Sequence, residues 1–153
     1  MTSAVQAAIT PTRRECTMMA GTATQTTSPI ASMLPGTPYS VQMARFYIGA
    51  ALAYHDLADY AEDAETITSE LVTNAIEHAG AASFGLELMT LSGSGAVAVI
   101  VTDPSPRPPV KRYPGEDAEH GRGLAIVDAL SASWGWRPQH PGKAVYTILN
   151  GMA

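Results

Sequence analysis

The sequence has few cysteines, few charged residues and no long apolar runs. Its single cysteine, Cys16, excludes a disulfide within the chain and a metal site built from several cysteines, and this usage suits a reduced, cytoplasmic setting. No segment has the roughly 20 consecutive apolar residues of a membrane helix. The opening MTSAVQAAITPTRREC lacks a basic start followed by an apolar run. We therefore expect neither a membrane contact nor a secretory signal.

Positive charge is also scarce. Asp and Glu number 14 against 9 for Lys and Arg, and the formal net charge is −5. The basic pair Lys111-Arg112 is too short for a nucleic-acid footprint, so no direct nucleic-acid contact is expected. Hydrophobic residues make up 46% of the 153 residues, which suits one compact domain.

The chain divides into a tail and one domain. MAGTATQTTSP, at 19–29, is rich in Thr, Gly and Ser without a period, and residues 1–27 are predicted to be a disordered tail. Residues 28–153 contain the periodic segments and form the predicted domain. PIASML, at 29–34, predicts a first strand that is closed by the turn signal Pro35-Gly36.

Two segments with helical periodicity follow. SVQMARFYIGAALAYHDL predicts a helix with Ser40 as N-cap. DAETITSELVTNAIEHAG has its apolar residues on one broad face and a stop signal at Gly80. The apolar stripe predicted for the first helix consists of Val41, Ala44, Phe46, Ile48, Ala51, Leu52 and His55.

The period then changes to that of strands. SFGLELMTL alternates like a half-buried strand, SGSG predicts a reversal, and AVAVIV is apolar throughout, as a central strand would be. Residues 104–120 are proline-rich and predict a loop. GRGLAIVDALSASWGW predicts a helix, with Trp134 and Trp136 after it as packing aromatics, and KAVYTILN predicts a last strand. The order β-α-α-β-β-loop-α-β predicts an α/β two-layer sandwich, with a mixed, largely antiparallel sheet and its helices on one face.

Glu70, Asn74 and His78 form a polar row on the second helical segment. They are four residues apart, so a helix stacks them in line at the edge of its apolar face. A carboxylate there can accept a proton from a hydroxyl or water, and an amide oxygen can ligate Mg²⁺. A solvated polar margin would give the same pattern.

Two further pieces suggest a ligand. Asp103 ends the apolar strand, where a carboxylate can accept a hydrogen bond from an exocyclic amine such as that of adenine, or simply cap a turn. HGRGLAIV, at 120–127, has glycines before an apolar helix, and the free N–H groups of such a helix start favour phosphate. An ordinary glycine-rich turn is the alternative. Neither a Walker loop nor a Rossmann fingerprint is present.

The order of these pieces resembles the GHKL ATPases, the Bergerat-fold superfamily. SELVTNAIEHA and GRGLAIVDAL match its motifs in type, order and spacing, and the similarity covers about residues 30–150. Within the superfamily the chain is most similar to small bacterial anti-sigma-factor serine kinases and their stand-alone relatives. The resemblance implies a Bergerat fold, ATP and Mg²⁺ as cofactors, and a regulatory protein of the bacterial cytoplasm.

The resemblance also implies a role for each candidate residue. Glu70 corresponds to the general base, Asn74 to the Mg²⁺ ligand, and His78 to a histidine near the phosphates. Asp103 corresponds to the acid that reads adenine, and residues 104–120 to a mobile lid. The residues that correspond to the phosphate cradle are Gly121, Arg122, Gly123 and Leu124.

Two departures from the family pattern concern nucleotide affinity. Asp103 is followed by Pro104 and Pro106 instead of glycines, and prolines stiffen the entry to the loop. Gly142 is followed by Lys143, where many relatives have a threonine that helps to hold adenine.

Two functions fit these expectations. One is a serine/threonine kinase that phosphorylates or sequesters a protein partner, which the resemblance implies is an anti-anti-sigma-like protein or a sigma factor. The other is a non-catalytic nucleotide-binding module that occludes another protein. A decayed pocket without nucleotide binding is a further alternative. RFYIGAALAY could supply the apolar face of a homodimer, although core packing explains it equally well.

Overall fold

A computed structural model describes residues 30–91, 95–109 and 123–150, and the structural statements below concern these ranges. The strands are β1 (Ile30–Pro35), β2 (Ser83–Leu91), β3 (Ala96–Asp103), β4 (Ser133–Gln139) and β5 (Gly142–Leu149). The α-helices are α1 (Tyr39–Tyr54), α2 (Ala61–Glu77) and α3 (Gly123–Leu130), with a 3₁₀ turn at Ala58–Tyr60 before α2. The predicted tail and most of the predicted lid lie outside the described residues.

The strands form one open sheet in the order β1-β2-β3-β5-β4. All pairings between the described strands are antiparallel, so the sheet contains no parallel pair within these ranges. The predicted central strand is indeed the middle one, β3. Leu91 pairs with Ala96, which confirms the predicted hairpin, although residues 92–94 themselves are outside the description. The α/β two-layer sandwich is confirmed.

The core lies between the helices and one face of the sheet. Successive side chains of a strand point to opposite faces, and the odd-numbered residues of β3 and β5 face the helices. The largest fully buried side chains include Phe84, Leu86 and Leu88 of β2, Val97, Val99 and Val101 of β3, Ile48 and Leu52 of α1, and Ile67 and Val72 of α2. The same alternation brings Asp103 and Lys143, at the strand ends, onto the helix-covered face.

Helix α1 differs from its prediction at its start and in its stripe. It begins at Tyr39, with Pro38 in the N-cap position and no capping side chain, so the assignment of Ser40 as N-cap is wrong. Proline suits this position because its fixed φ matches the helix start. Phe46, predicted in the buried stripe, is 75% exposed. Ala44 and Ile48 define the buried side, and a residue two positions from each of them lies on the opposite side.

Helix α2 ends close to the predicted stop. Its last residue is Glu77, and the N–H of His78 donates to the carbonyl of Asn74 at 3.0 Å. Gly80 follows with a φ of +61°, the left-handed conformation that commonly ends a helix. Glu70 and Asn74 are half buried within α2, whereas His78 lies just beyond the end of the helix and is exposed.

Strand β4 is missing from the predicted order. Gly135 and Pro138 weaken its strand signal, but β4 is an edge strand of the sheet, where a proline without an N–H is tolerated. Trp134 and Trp136 lie in this strand and pack against the core, so their predicted packing role is confirmed. None of the helices in the described ranges has both the length and the apolar composition to cross a bilayer.

Candidate functional site

Helix α3 begins directly against the side chain of Glu70. A Cβ atom on Gly123, the first residue of α3, would lie 2.6 Å from Glu70 Oε2 and 3.6 Å from its Cβ. The first of these distances is too short for a real side chain, and Oε2 is the far end of a flexible side chain that an added Cβ would displace. Glycine at position 123 therefore lets the Glu70 carboxylate lie against the helix start. The contact brings together two of the pieces that the sequence predicted as one site.

The environment of Glu70 changes its acidity. Burial raises the pKa of the Glu70 carboxyl above its ordinary value of 4.5, because desolvation disfavours the charged form. A carboxylate with a raised pKa is a better proton acceptor, since a general base works best when its pKa approaches the working pH. The direction of the shift suits the role predicted for Glu70.

The other residues predicted to lie near the phosphates are Leu124, Gly121, Arg122 and His78. Leu124 is 5% exposed and belongs to the core, so only its backbone N–H, in the first turn of α3, can face a ligand. Gly121 and Arg122 lie outside the described residues. His78 follows the last residue of α2 and is the exposed member of the polar row.

Asn74 is the predicted metal ligand. It is half buried, one helical turn after Glu70. The described part of the chain contains no group of three or more His, Cys, Asp or Glu residues that could hold a metal ion. Mg²⁺ is commonly bound through one or two protein oxygens together with substrate phosphates and water. The residues present therefore fit an ion that enters with a phosphate ligand.

Asp103 forms a buried ion pair with Lys143. The two residues are direct partners in the ladder between β3 and β5. Lys143 Nζ lies 3.0 Å from Asp103 Oδ1 and 2.9 Å from Oδ2, and the side chains of Lys143 and Asp103 are 8% and 4% exposed. Lys143 Nζ also donates to the carbonyl of Ser105 at 3.2 Å, and the N–H of Ser105 donates to Asp103 Oδ1 at 2.8 Å.

Gly142 allows this pairing. A Cβ atom at position 142 would lie 2.0 Å from the carbonyl oxygen of Asp103 and 2.4 Å from the carbonyl carbon of Pro104. Only glycine permits β5 to begin so close to the end of β3. The close approach fixes Lys143 opposite Asp103.

Energies favour keeping the ion pair closed. Removing one partner of a buried ion pair typically costs about 3–5 kcal/mol, because the other charge stays buried without compensation. A hydrogen bond from a base amine to a charged carboxylate contributes about 1.5–3 kcal/mol. At Asp103, therefore, a lysine already occupies the carboxylate that the family resemblance assigns to adenine.

A separate hollow of about 530 Å³ lies beside β4. It is bordered by Pro109, Asp128 and residues 131–136, and Trp134 Nε1 donates to Asp128 Oδ1 at 2.9 Å. None of the predicted site residues within the described ranges borders it. The candidate site is therefore defined by Glu70, Asn74 and the start of α3, and not by this hollow.

The partner of Asp103 is not evident from the sequence. Lys143 stands out there as a departure from the family pattern, but not as a contact of Asp103. The available signal was the alternation of KAVYTILN, which places Lys143 on the same side as Val145 and Leu149. Finding the partner also requires the pairing register of two distant strands, which no local pattern contains.

An antiparallel sheet covered on one face by helices, with Glu70 against the glycine that starts α3, is the arrangement expected of an ATPase domain of the GHKL type. The model of the histidine kinase-like ATPase domain family matches residues 34–148, and the chain belongs to this family. An uncharacterized protein of Streptomyces coelicolor is 39% identical over 79 residues, which are 50% of this chain and 75% of that protein. Membership confirms the GHKL resemblance and implies ATP as the ligand, usually together with Mg²⁺.

Proposed function

We propose that the protein is an ATP-dependent serine/threonine kinase of the anti-sigma type, which phosphorylates and sequesters a protein partner in bacterial transcriptional regulation. The observation that supports this best is the contact between Glu70 and the start of α3 at Gly123. It places a proton acceptor with a raised pKa beside a helix start that favours phosphate. A kinase needs these two functions side by side.

The proposed chemistry assigns one task to each group. Bound Mg-ATP supplies the phosphoryl group. Glu70 accepts the proton of the attacking serine hydroxyl as its oxygen bonds to the γ-phosphorus and the bond to the departing ADP breaks. N–H groups in the first turn of α3 donate to phosphate oxygens. The amide oxygen of Asn74 would hold Mg²⁺, which would neutralise charge on the phosphates.

The outer side of α1 supports a protein partner. Tyr39, Met43, Phe46 and Tyr54 are 69%, 42%, 75% and 81% exposed, and their spacing places them along one side of the helix. Contiguous exposed apolar side chains commonly mark protein contacts. We call these four side chains the exposed face of α1 and assign it to an anti-anti-sigma-like or sigma-factor partner. Self-association into a homodimer is the competing alternative.

A phosphotransfer assay tests the kinase. The full chain is incubated with radiolabelled Mg-ATP and a panel of anti-anti-sigma-like proteins, and label should appear on a serine of one of them. Glu70→Ala should abolish transfer while nucleotide binding survives. Glu77→Ala, which removes an exposed carboxylate at the end of the same helix, is the matched control. Transfer by Glu70→Ala at the parent rate would show that Glu70 is not the base.

A non-catalytic nucleotide-binding module is the second candidate. The buried pair of Asp103 and Lys143 favours it. A lysine occupies the carboxylate that, by the family resemblance, would bind the adenine of ATP. Pro104 and Pro106 restrict the adjoining loop and favour it as well. Thermal stabilisation by Mg-ATP, without transfer to any protein of the panel, would favour this function over the kinase.

A further inference from the structure

We propose that Lys143 sets the base selectivity of the nucleotide site. By pairing with Asp103 it closes the base end, so the site holds a nucleoside triphosphate through its phosphates and does not distinguish adenine from guanine. The inference rests on the proposed nucleotide site and specifies its ligand class.

The hydrogen-bonding capacity of Lys143 is fully used. An ammonium group has three donors and no acceptor. Lys143 Nζ has three acceptors within hydrogen-bond distance, which are Asp103 Oδ1, Asp103 Oδ2 and the carbonyl of Ser105. No donor remains for a carbonyl or ring nitrogen of a base.

The carboxylate of Asp103 is almost as fully used. Oδ1 accepts from both Lys143 Nζ and the N–H of Ser105, and Oδ2 accepts from Lys143 Nζ. The side chain is 4% exposed, so an exocyclic amine can reach it only after the pair separates. Adenine and guanine differ in the donors and acceptors along this edge, and a site that cannot reach that edge cannot tell them apart.

The backbone holds the pair in place. The two residues are fixed opposite each other by the ladder of β3 and β5. Gly142 brings the start of β5 against the carbonyl of Asp103, and the N–H of Ser105 fixes the carboxylate from the loop side. A turn of either side chain alone would leave a buried charge without its partner.

The phosphate side depends on different elements. Glu70 and Asn74 lie on α2, and Gly123 begins α3, whereas the ion pair joins β3 and β5. A triphosphate carries the same charge whichever base is attached. Closing the base end therefore weakens base recognition without removing phosphate recognition.

Calorimetric titration of the full chain with ATP, GTP and inorganic tripolyphosphate, each with Mg²⁺, tests the inference. The parent protein should bind ATP and GTP with dissociation constants within about threefold of each other. Lys143→Thr frees Asp103 and should prefer ATP over GTP by about tenfold or more. Arg137→Thr removes the same charge on β4, and its residue pairs with Ala144 on the other face of the sheet, so it should keep the parent ratio.

The outcomes separate this inference from the proposed function. A preference above about tenfold for ATP or for GTP in the parent protein overturns the inference and leaves nucleotide binding intact. An unchanged ratio in Lys143→Thr overturns it as well. If neither protein binds any of the three ligands, the nucleotide site itself is wrong. The parent comparison requires no variant, and the double variant Asp103→Asn with Lys143→Thr removes both buried charges if Lys143→Thr does not fold.

Discussion

Lys143 on β5 lies directly opposite Asp103 on the adjacent central strand β3, and its Nζ is 2.9–3.0 Å from both carboxylate oxygens. With side chains only 8% and 4% exposed, the two residues lie within the layer between sheet and helices. The pair should therefore affect the stability of the fold as well as the proposed nucleotide binding.

Removing one charge of this pair should destabilise the protein strongly. Lys143→Met keeps most of the side-chain volume but leaves Asp103 buried without its partner, and we expect the free energy of unfolding to fall by about 3–5 kcal/mol. The double variant Asp103→Asn with Lys143→Met should recover most of this loss, because no buried charge remains. Urea denaturation measures both values, with Arg137→Met as the control. Additive losses in the double variant would contradict the coupling.

The raised pKa of Glu70 predicts a pH-dependent stability. Because the folded protein holds this carboxyl above its ordinary pKa of 4.5, its contribution is fully present below that value and is lost as the pH rises through the folded pKa. Glu70→Gln cannot ionise, so its melting temperature should exceed that of the parent at neutral pH and approach it near pH 4. Thermal unfolding of nucleotide-free protein across this range provides the measurement. Glu77→Gln, at an exposed position, should show no such pH-dependent difference.

A side chain at position 123 should displace the Glu70 carboxylate. The Cβ of alanine would lie 2.6 Å from Glu70 Oε2, which is the far end of a flexible side chain and can turn away at little cost. Alanine also raises intrinsic helix propensity relative to glycine. We therefore expect Gly123→Ala to change the free energy of unfolding by less than about 1 kcal/mol and to slow phosphotransfer, because Glu70 no longer lies against the helix start. Urea denaturation and the phosphotransfer assay measure the two effects. Transfer by Gly123→Ala at the parent rate would show that the contact is unimportant.

The exposed face of α1, formed by Tyr39, Met43, Phe46 and Tyr54, should contribute to protein binding and not to folding. Phe46→Asp changes a side chain that is 75% exposed, so we expect the free energy of unfolding to change by less than about 0.5 kcal/mol while association with a protein partner is lost. Phe84→Ala, in the core, should by contrast cost about 3–5 kcal/mol. Analytical ultracentrifugation of the chain alone, and then with a partner, distinguishes self-association from partner binding. Unchanged association in both experiments would show that the exposed face of α1 is not a protein-binding surface.

Local periodicity was sufficient to predict most of the fold. The alternation in β2, the apolar run of β3 and the helical face of α2 are each contained within one short segment, so the sequence predicts each of them. It does not predict strand β4, because Gly135 and Pro138 hide the strand pattern and are acceptable only at the edge of the sheet. The predicted burial of Phe46 is wrong because α1 has apolar residues on both sides.

The site was predictable only where one element contains it. Glu70 and Asn74 share a helix, so their alignment follows from helical geometry. The contact of Glu70 with Gly123 was expected only through the family resemblance, since it joins distant segments. The pairing of Asp103 with Lys143 depends on strand register, which is set by the whole sheet and not by either segment.

The contacts of Ser105 bear on protein engineering. Its N–H and carbonyl are bonded to a residue from each of two neighbouring strands, and its Oγ accepts the N–H of Arg107 at 3.3 Å. The backbone at Ser105 is therefore held by hydrogen bonds where the chain leaves the sheet. A reporter peptide inserted after Arg107 would follow this fixed segment, so the insertion should leave the strand register unchanged.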